Sequence, residues 1–151
     1  GGSALAVKLG GAGDITGDRL WHHPKNTQRV GSGLILGGHV YMVDENATPH
    51  CYALATGEDM WKGAPKLKGG TTWGSLTHAA GRLYLLMRTG ETVVFAANPA
   101  KCEVLAVNPL GERISASPAI SGNRSIPRFC SAMMANRDTA PIKPQTQSRN
   151  L

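Results

Sequence analysis

An all-β fold built from repeated four-stranded units is what this sequence predicts, and three observations predict it. A phrase returns about every 42 residues: Gly37-Gly38-His39-Val40-Tyr41-Met42-Val43 is echoed by Ala80-Gly81-Arg82-Leu83-Tyr84-Leu85-Leu86, and a third echo opens at Ile120-Ser121-Gly122-Asn123-Arg124. A small residue and a serine precede each copy, as Gly31-Ser32, Gly74-Ser75 and Ala116-Ser117. Short apolar runs rich in β-branched and aromatic residues lie between glycine-bearing turns, which favours strands over buried helical pieces. Short strands repeating every 40 to 45 residues or so describe the blades of a β-propeller.

The elements follow in order. Ala4 to Leu9 reads as a strand and is followed by a Gly-rich turn, after which Leu20-Trp21 closes an earlier blade. His22-His23-Pro24-Lys25-Asn26 reads as a polar loop. Val30 to Leu36 is a strand, Gly37-Gly38 a tight turn, and Val40 to Val43 the next strand. Asp44 to Thr48 has the residues that turns favour. His50 to Leu54 is a third strand, and Ala55-Thr56-Gly57-Glu58 turns the chain into a fourth at Asp59-Met60-Trp61. The next unit repeats the order with strands at Leu76–Ala79, Leu83–Met87, Thr92–Ala97 and Cys102–Ala106. A third unit opens at Ser115, but Pro127 stands inside its expected central strand. Repeat and local pattern agree up to Asn123 and part after it. Residues 1–123 are therefore expected to be partial propeller repeats, and 124–151 an irregular or disordered basic tail.

The chain has 151 residues, enough for about two and a half blades, whereas a closed ring of four needs roughly 170. The expectation is a fragment of a larger ring, with exposed edge strands that favour self-association. The net charge of +6 is uneven. The tail holds Arg124, Arg128, Arg137, Lys143 and Arg149 against Asp138, leaving the blade region nearly neutral. Aromatic residues do not interleave with those charges, so nucleic acid is not the expected partner. Cys51, Cys102 and Cys130 have no metal-like spacing, and Cys51 is expected to be a buried thiol. No apolar run is long enough to span a membrane as a helix.

Tyr52-Ala53-Leu54-Ala55-Thr56-Gly57-Glu58-Asp59-Met60-Trp61 resembles the blade-closing phrase of the bacterial PQQ-like β-propeller repeat family, and Gly17-Asp18-Arg19-Leu20-Trp21 resembles its tail one unit earlier. The resemblance covers about residues 4–123. It implies that the tryptophan sits between neighbouring blades, that Thr-Gly makes the turn before the outer strand, and that the parent protein is exported or periplasmic. There are departures. Pro99-Ala100-Lys101 stands where Thr-Gly would be, and Val104-Leu105 where the tryptophan would be. The quinoprotein dehydrogenases also use adjacent cysteines beside the quinone, and this sequence has no such pair. The resemblance implies a fold without quinone redox chemistry.

Candidate chemistry is sparse. Asp44-Glu45-Asn46 is the densest group of oxygen ligands and the candidate calcium site, although three adjacent residues do not converge without help from other loops. A solvated turn explains the same residues. His22, His23 and His78 are candidate bases. Ser32 and Ser75 hold equivalent repeat positions, which points to structure over nucleophilicity, and no GxSxG is present. The expected function is a binding scaffold for another protein or a small molecule, with no resident cofactor. The competing expectation is a calcium-assisted hydrolase that polarises a lactone or ester carbonyl.

Overall fold

The computed structural model describes residues 2–26 and 30–120. The expected boundary at residue 123, the tail 124–151 and Cys130 lie outside the described residues. Nine strands form three antiparallel sheets in series, with no α-helix among the described residues. β1 (Gly2–Val7) pairs with β2 (Arg19–Asn26) in the first sheet. The second sheet runs β3 (Leu34–Leu36), β4 (His39–Val43), β5 (Pro49–Ala53). The third runs β6 (Thr77–Ala79), β7 (Arg82–Leu86), β8 (Glu91–Ala96), β9 (Val104–Pro109). Consecutive strands are neighbours in every sheet, the meander of a propeller blade. The architecture is all-β and partial-propeller-like, as the repeat predicts.

The repeat is visible in backbone geometry. Gly37 and Gly38 have φ of 56° and 75°, and Ala80 and Gly81 have 48° and 73°, so each hairpin turns through two consecutive left-handed residues. That hand matches the twist of the flanking strands. The next turn is also shared. Asp44 N–H donates to Thr48 O at 2.9 Å, and Met87 N–H donates to Glu91 O at 2.8 Å. Leu67 N–H then donates to Ala47 O, and Leu110 N–H to Gly90 O, so the chain leaving each outer strand lies over this turn. In the first sheet the turn is longer. There Asp14 accepts from Thr16 Oγ1 at 2.6 Å and Thr16 N at 2.9 Å. Those bonds hold its carboxyl below the usual carboxylate range.

Four expectations need correction. His22-His23-Pro24-Lys25-Asn26 is not a loop but the second half of β2, opposite Ala4 and Leu5. Pro24 is tolerated because β2 pairs on one edge only. The strand expected from Val30 is confined to Leu34–Leu36, because Ser32 gives its N–H to Ser75 of the neighbouring blade instead. The fourth strand at Asp59–Trp61 shrinks to one bridge, Tyr52 with Asp59. Its cause is Asp59 Oδ1, which accepts Trp61 N–H at 3.0 Å and turns the chain. Finally, β9 starts at Val104, with Cys102 ahead of it.

The main core lies between the second and third sheets. Tyr41, Val43, Cys51 and Trp61 from one meet Leu83, Leu85, Met87, Val93 and Phe95 from the other. Alternation puts Cys51 on this side and His50 and Tyr52 on the side facing the first sheet. Trp61 fills the wedge, with its ring edge-on to Tyr41 at 5.4 Å and to Phe95 at 6.0 Å. Cys51 is fully buried, as the sequence predicts.

Candidate functional site at the blade junctions

The polar side chains of the described residues concentrate where one sheet meets the next. Trp21 Nε1–H donates to Leu54 O at 2.8 Å, and His23 Nε2–H donates to Gly57 O at 2.7 Å. The two rings lie 5.1 Å apart and both approach Tyr52, at 5.9 and 5.0 Å. Gly57 has φ of 74°, and a Cβ there would come within 2.6 Å of Trp21 Cγ. At the second junction Trp61 Nε1–H donates to Asn98 O at 2.9 Å. The repeat loses its glycine here, since Pro99-Ala100-Lys101 stands where Thr-Gly would be, yet a carbonyl acceptor, that of Asn98, is kept.

The serines form a ladder across the inner strands. Ser32 N–H donates to Ser75 Oγ at 2.9 Å, and Ser75 N–H donates to Ser117 Oγ at 2.8 Å. Thr77 Oγ1–H adds a bond to Pro118 O at 2.9 Å. The small residue before each serine has a steric reason. A Cβ on Gly31 would meet Gly74 O at 2.2 Å, and one on Gly74 would meet Ala116 O at 2.5 Å. The equivalence of Ser32 and Ser75 is therefore structural, although the bond crosses between blades and does not close a turn.

The candidate residues are scattered over this frame. Asp44 is nearly buried, and its Oδ1 accepts Asn46 N–H at 2.9 Å and Thr48 N–H at 2.8 Å. It holds the β4–β5 turn. Asn46 is exposed beside it, and Glu45 is half-buried. His23 lies in the first junction, while His22 points to the opposite face of the first sheet, beside Leu5. His78 is in β6 opposite Leu83, on a different sheet. The three imidazoles are not brought together. No group of three or more His, Cys, Asp or Glu side chains converges as a metal site among the described residues.

Sequence reasoning missed one grouping. His50 lies between two carboxylates, with Nδ1 at 3.1 Å from Asp59 Oδ2 and Nε2 at 3.8 Å from Asp44 Oδ2. Its ring stacks on Tyr52 at 5.5 Å. The hairpin register that pairs Met42 with His50 was the available signal, because it returns His50 toward Asp44. Burial also marks the thiol of Cys51, which is pushed up to about 11, and the phenol of Tyr41, pushed up to about 12. Neither is poised for nucleophilic chemistry near neutral pH.

No family model and no curated protein matches the chain. Among solved structures it is similar to a europium-containing methanol dehydrogenase, with a TM-score of 0.50 and 12% identity. The match covers 70% of this chain, which spans 21% of the length of that protein. No helix among the described residues is long and apolar enough to cross a membrane. At this identity the similarity is one of fold alone, and it supports reading the three sheets as successive propeller blades.

Proposed function

We infer that this chain is a binding scaffold, a run of PQQ-like blades that holds a partner protein or ligand without quinone redox chemistry. One observation carries the reading: the side chains able to do chemistry at the junctions are committed to joining blades. Trp21, Trp61 and His23 donate to turn carbonyls of the following blade, and Ser75 and Ser117 accept amides of the preceding one. Exposed apolar side chains lie on all three sheets, at Leu5, Leu20, Ile35, Val104, Leu105 and Val107. Exposed apolar surface of that kind suits docking. The exposed edges also favour self-association. The resemblance suggests an exported or periplasmic parent.

A second reading, calcium-assisted hydrolysis of a lactone or ester, draws on the carboxylates of Asp44 and Asp59 on either side of His50. Glu45 and Asn46 would add oxygens, whereas His22, His23 and His78, the bases expected from the sequence, lie on another face or sheet or are bonded to Gly57 O. The experiment that separates the readings is turnover of p-nitrophenyl acetate and γ-butyrolactone with calcium and with chelator. The scaffold reading expects no saturable turnover in either condition. Chelator-sensitive turnover that falls on Asp44→Asn contradicts it.

A further inference from the structure

We propose that Trp73 and Arg88 form a carboxylate-binding site at the end of the third sheet, and that its occupant is an acidic segment of a partner protein. This names the partner of the binding scaffold and rests on that reading.

The chain between the second and third sheets crosses the ends of both. Leu67 N–H donates to Ala47 O in the β4–β5 turn at 2.8 Å, and Arg88 N–H in the β7–β8 turn donates to Thr71 O at 2.9 Å. The crossing ends at Trp73, which is 44% exposed, and the guanidinium carbon of Arg88 lies 3.8 Å from the centre of its ring. Stacking occupies one face of the guanidinium and leaves its N–H groups, which lie in its plane, for acceptors. Those groups are unused. Arg88 Nε is buried with no hydrogen-bond partner, and the ion pairs among the described residues involve His50 and Lys101, not Arg88. A buried donor without an acceptor opposes folding. An arginine kept at that cost with no carboxylate of its own points to one from elsewhere. The residue is half-buried, and a carboxylate can meet its two terminal Nη groups end-on.

The pair is not part of the blade repeat. Gly31 is equivalent to Gly74, and the turn closed by Asp44 N–H to Thr48 O is equivalent to that closed by Met87 N–H to Glu91 O, so the preceding blade has Val30 and Glu45 at these positions. The turn is shared, and the indole and the cation are not. Charge selects the occupant. No Asp or Glu occurs from Met60 to Gly90, and Lys62, Lys66 and Lys68 are exposed along the crossing. Arg113 follows on the other side, where Ile114 N–H donates to Arg88 O at 3.3 Å. Glu91, which accepts from Thr89 Oγ1, and Glu112 interrupt the patch. Those two carboxylates oppose a continuous phosphate backbone, and a single indole offers no stacking ladder for bases. Spaced carboxylates of a protein therefore suit the patch better than nucleic acid does. Tryptophan and arginine are also the side chains that carry most binding energy at protein interfaces.

The test titrates the full chain into a fluorescein-labelled hexapeptide of alternating aspartate and glutamate and follows anisotropy. Saturable binding is expected, and none with the corresponding asparagine–glutamine peptide. Arg88→Lys keeps the charge and removes the planar fork, and should weaken binding about tenfold. Trp73→Ala should weaken it about threefold. Arg88→Lys should leave the urea midpoint unchanged, since no side-chain hydrogen bond is lost, so lost binding is separated from lost fold. Absent binding, or equal affinity in Arg88→Lys and the unsubstituted chain, overturns the proposal. Stronger binding of a thymidine dodecamer that depends on Arg88 also overturns it and makes nucleic acid the occupant. If the peptide does not bind and chelator-sensitive turnover is absent, this surface is wrong and the scaffold stands. Chelator-sensitive turnover removes the scaffold reading itself.

Discussion

Gly57 shows how one missing side chain sets a contact between blades. Its φ is 74°, and the space of a Cβ is taken by Trp21. Gly57→Ala should cost on the order of 2 kcal/mol in denaturant unfolding, since strain and overlap act together. Gly10→Ala is the control. Gly10 has φ of 101° with nothing near, so that variant should lose only about 1 kcal/mol of backbone strain. The reverse change is informative at Ala80, an exposed left-handed residue where the preceding repeat has Gly37. Ala80→Gly should raise stability by about 0.5 kcal/mol, as relief of strain outweighs the entropy gained by the unfolded chain. Tyr41 and Cys51 predict a pH effect. Burial raises the phenol from 10.0 to about 12 and the thiol from 9.0 to about 11. Below pH 9 both are protonated in the folded and unfolded chain, and their contribution is complete. Above it the unfolded chain releases protons first, so stability should fall steadily between pH 9 and 12. Tyr41→Phe should flatten the upper part of that fall in urea titrations at fixed pH.

Among the elements, the inner strands are short and are tied from blade to blade by the serine ladder. β3 and β6 are three residues each, and Ser75 joins the ends of both blades by accepting from Ser32 and donating to Ser117. Ser75→Ala should cost about 1 kcal/mol and speed exchange of the Ser32 amide more than that of any β8 amide. The periodic glycines and the alternating runs made the second and third sheets legible before any coordinates. Short-range pattern failed where a side chain overrode it. Asp59 capped its own turn and removed a strand, and nothing in Asp59-Met60-Trp61 alone announces that. His22 to Asn26 looked like a loop because polar residues and a proline hid a strand whose partners lie at Gly2 to Leu5. The candidate site was less legible than the fold. Asp44 was found for its charge, yet its Oδ1 serves two turn amides, and its approach to His50 depends on hairpin register.

For the molecule as a whole, the account holds that three sheets act as one stack because the first passes a tryptophan to the second and the second to the third. Trp61 is 3% exposed and touches both sides of the main core. Trp61→Ala should therefore cost about 3–5 kcal/mol and uncouple the third sheet from the second. The three tryptophans offer the most direct measurement. Trp21 and Trp61 bind turn carbonyls of the following blade, whereas Trp73 is 44% exposed. Hydrogen exchange of the indole N–H protons, followed by NMR, should give two strongly protected signals and one that exchanges within the dead time. Three indoles exchanging alike and fast would mean that the blades are not stacked, and would contradict the account at its centre.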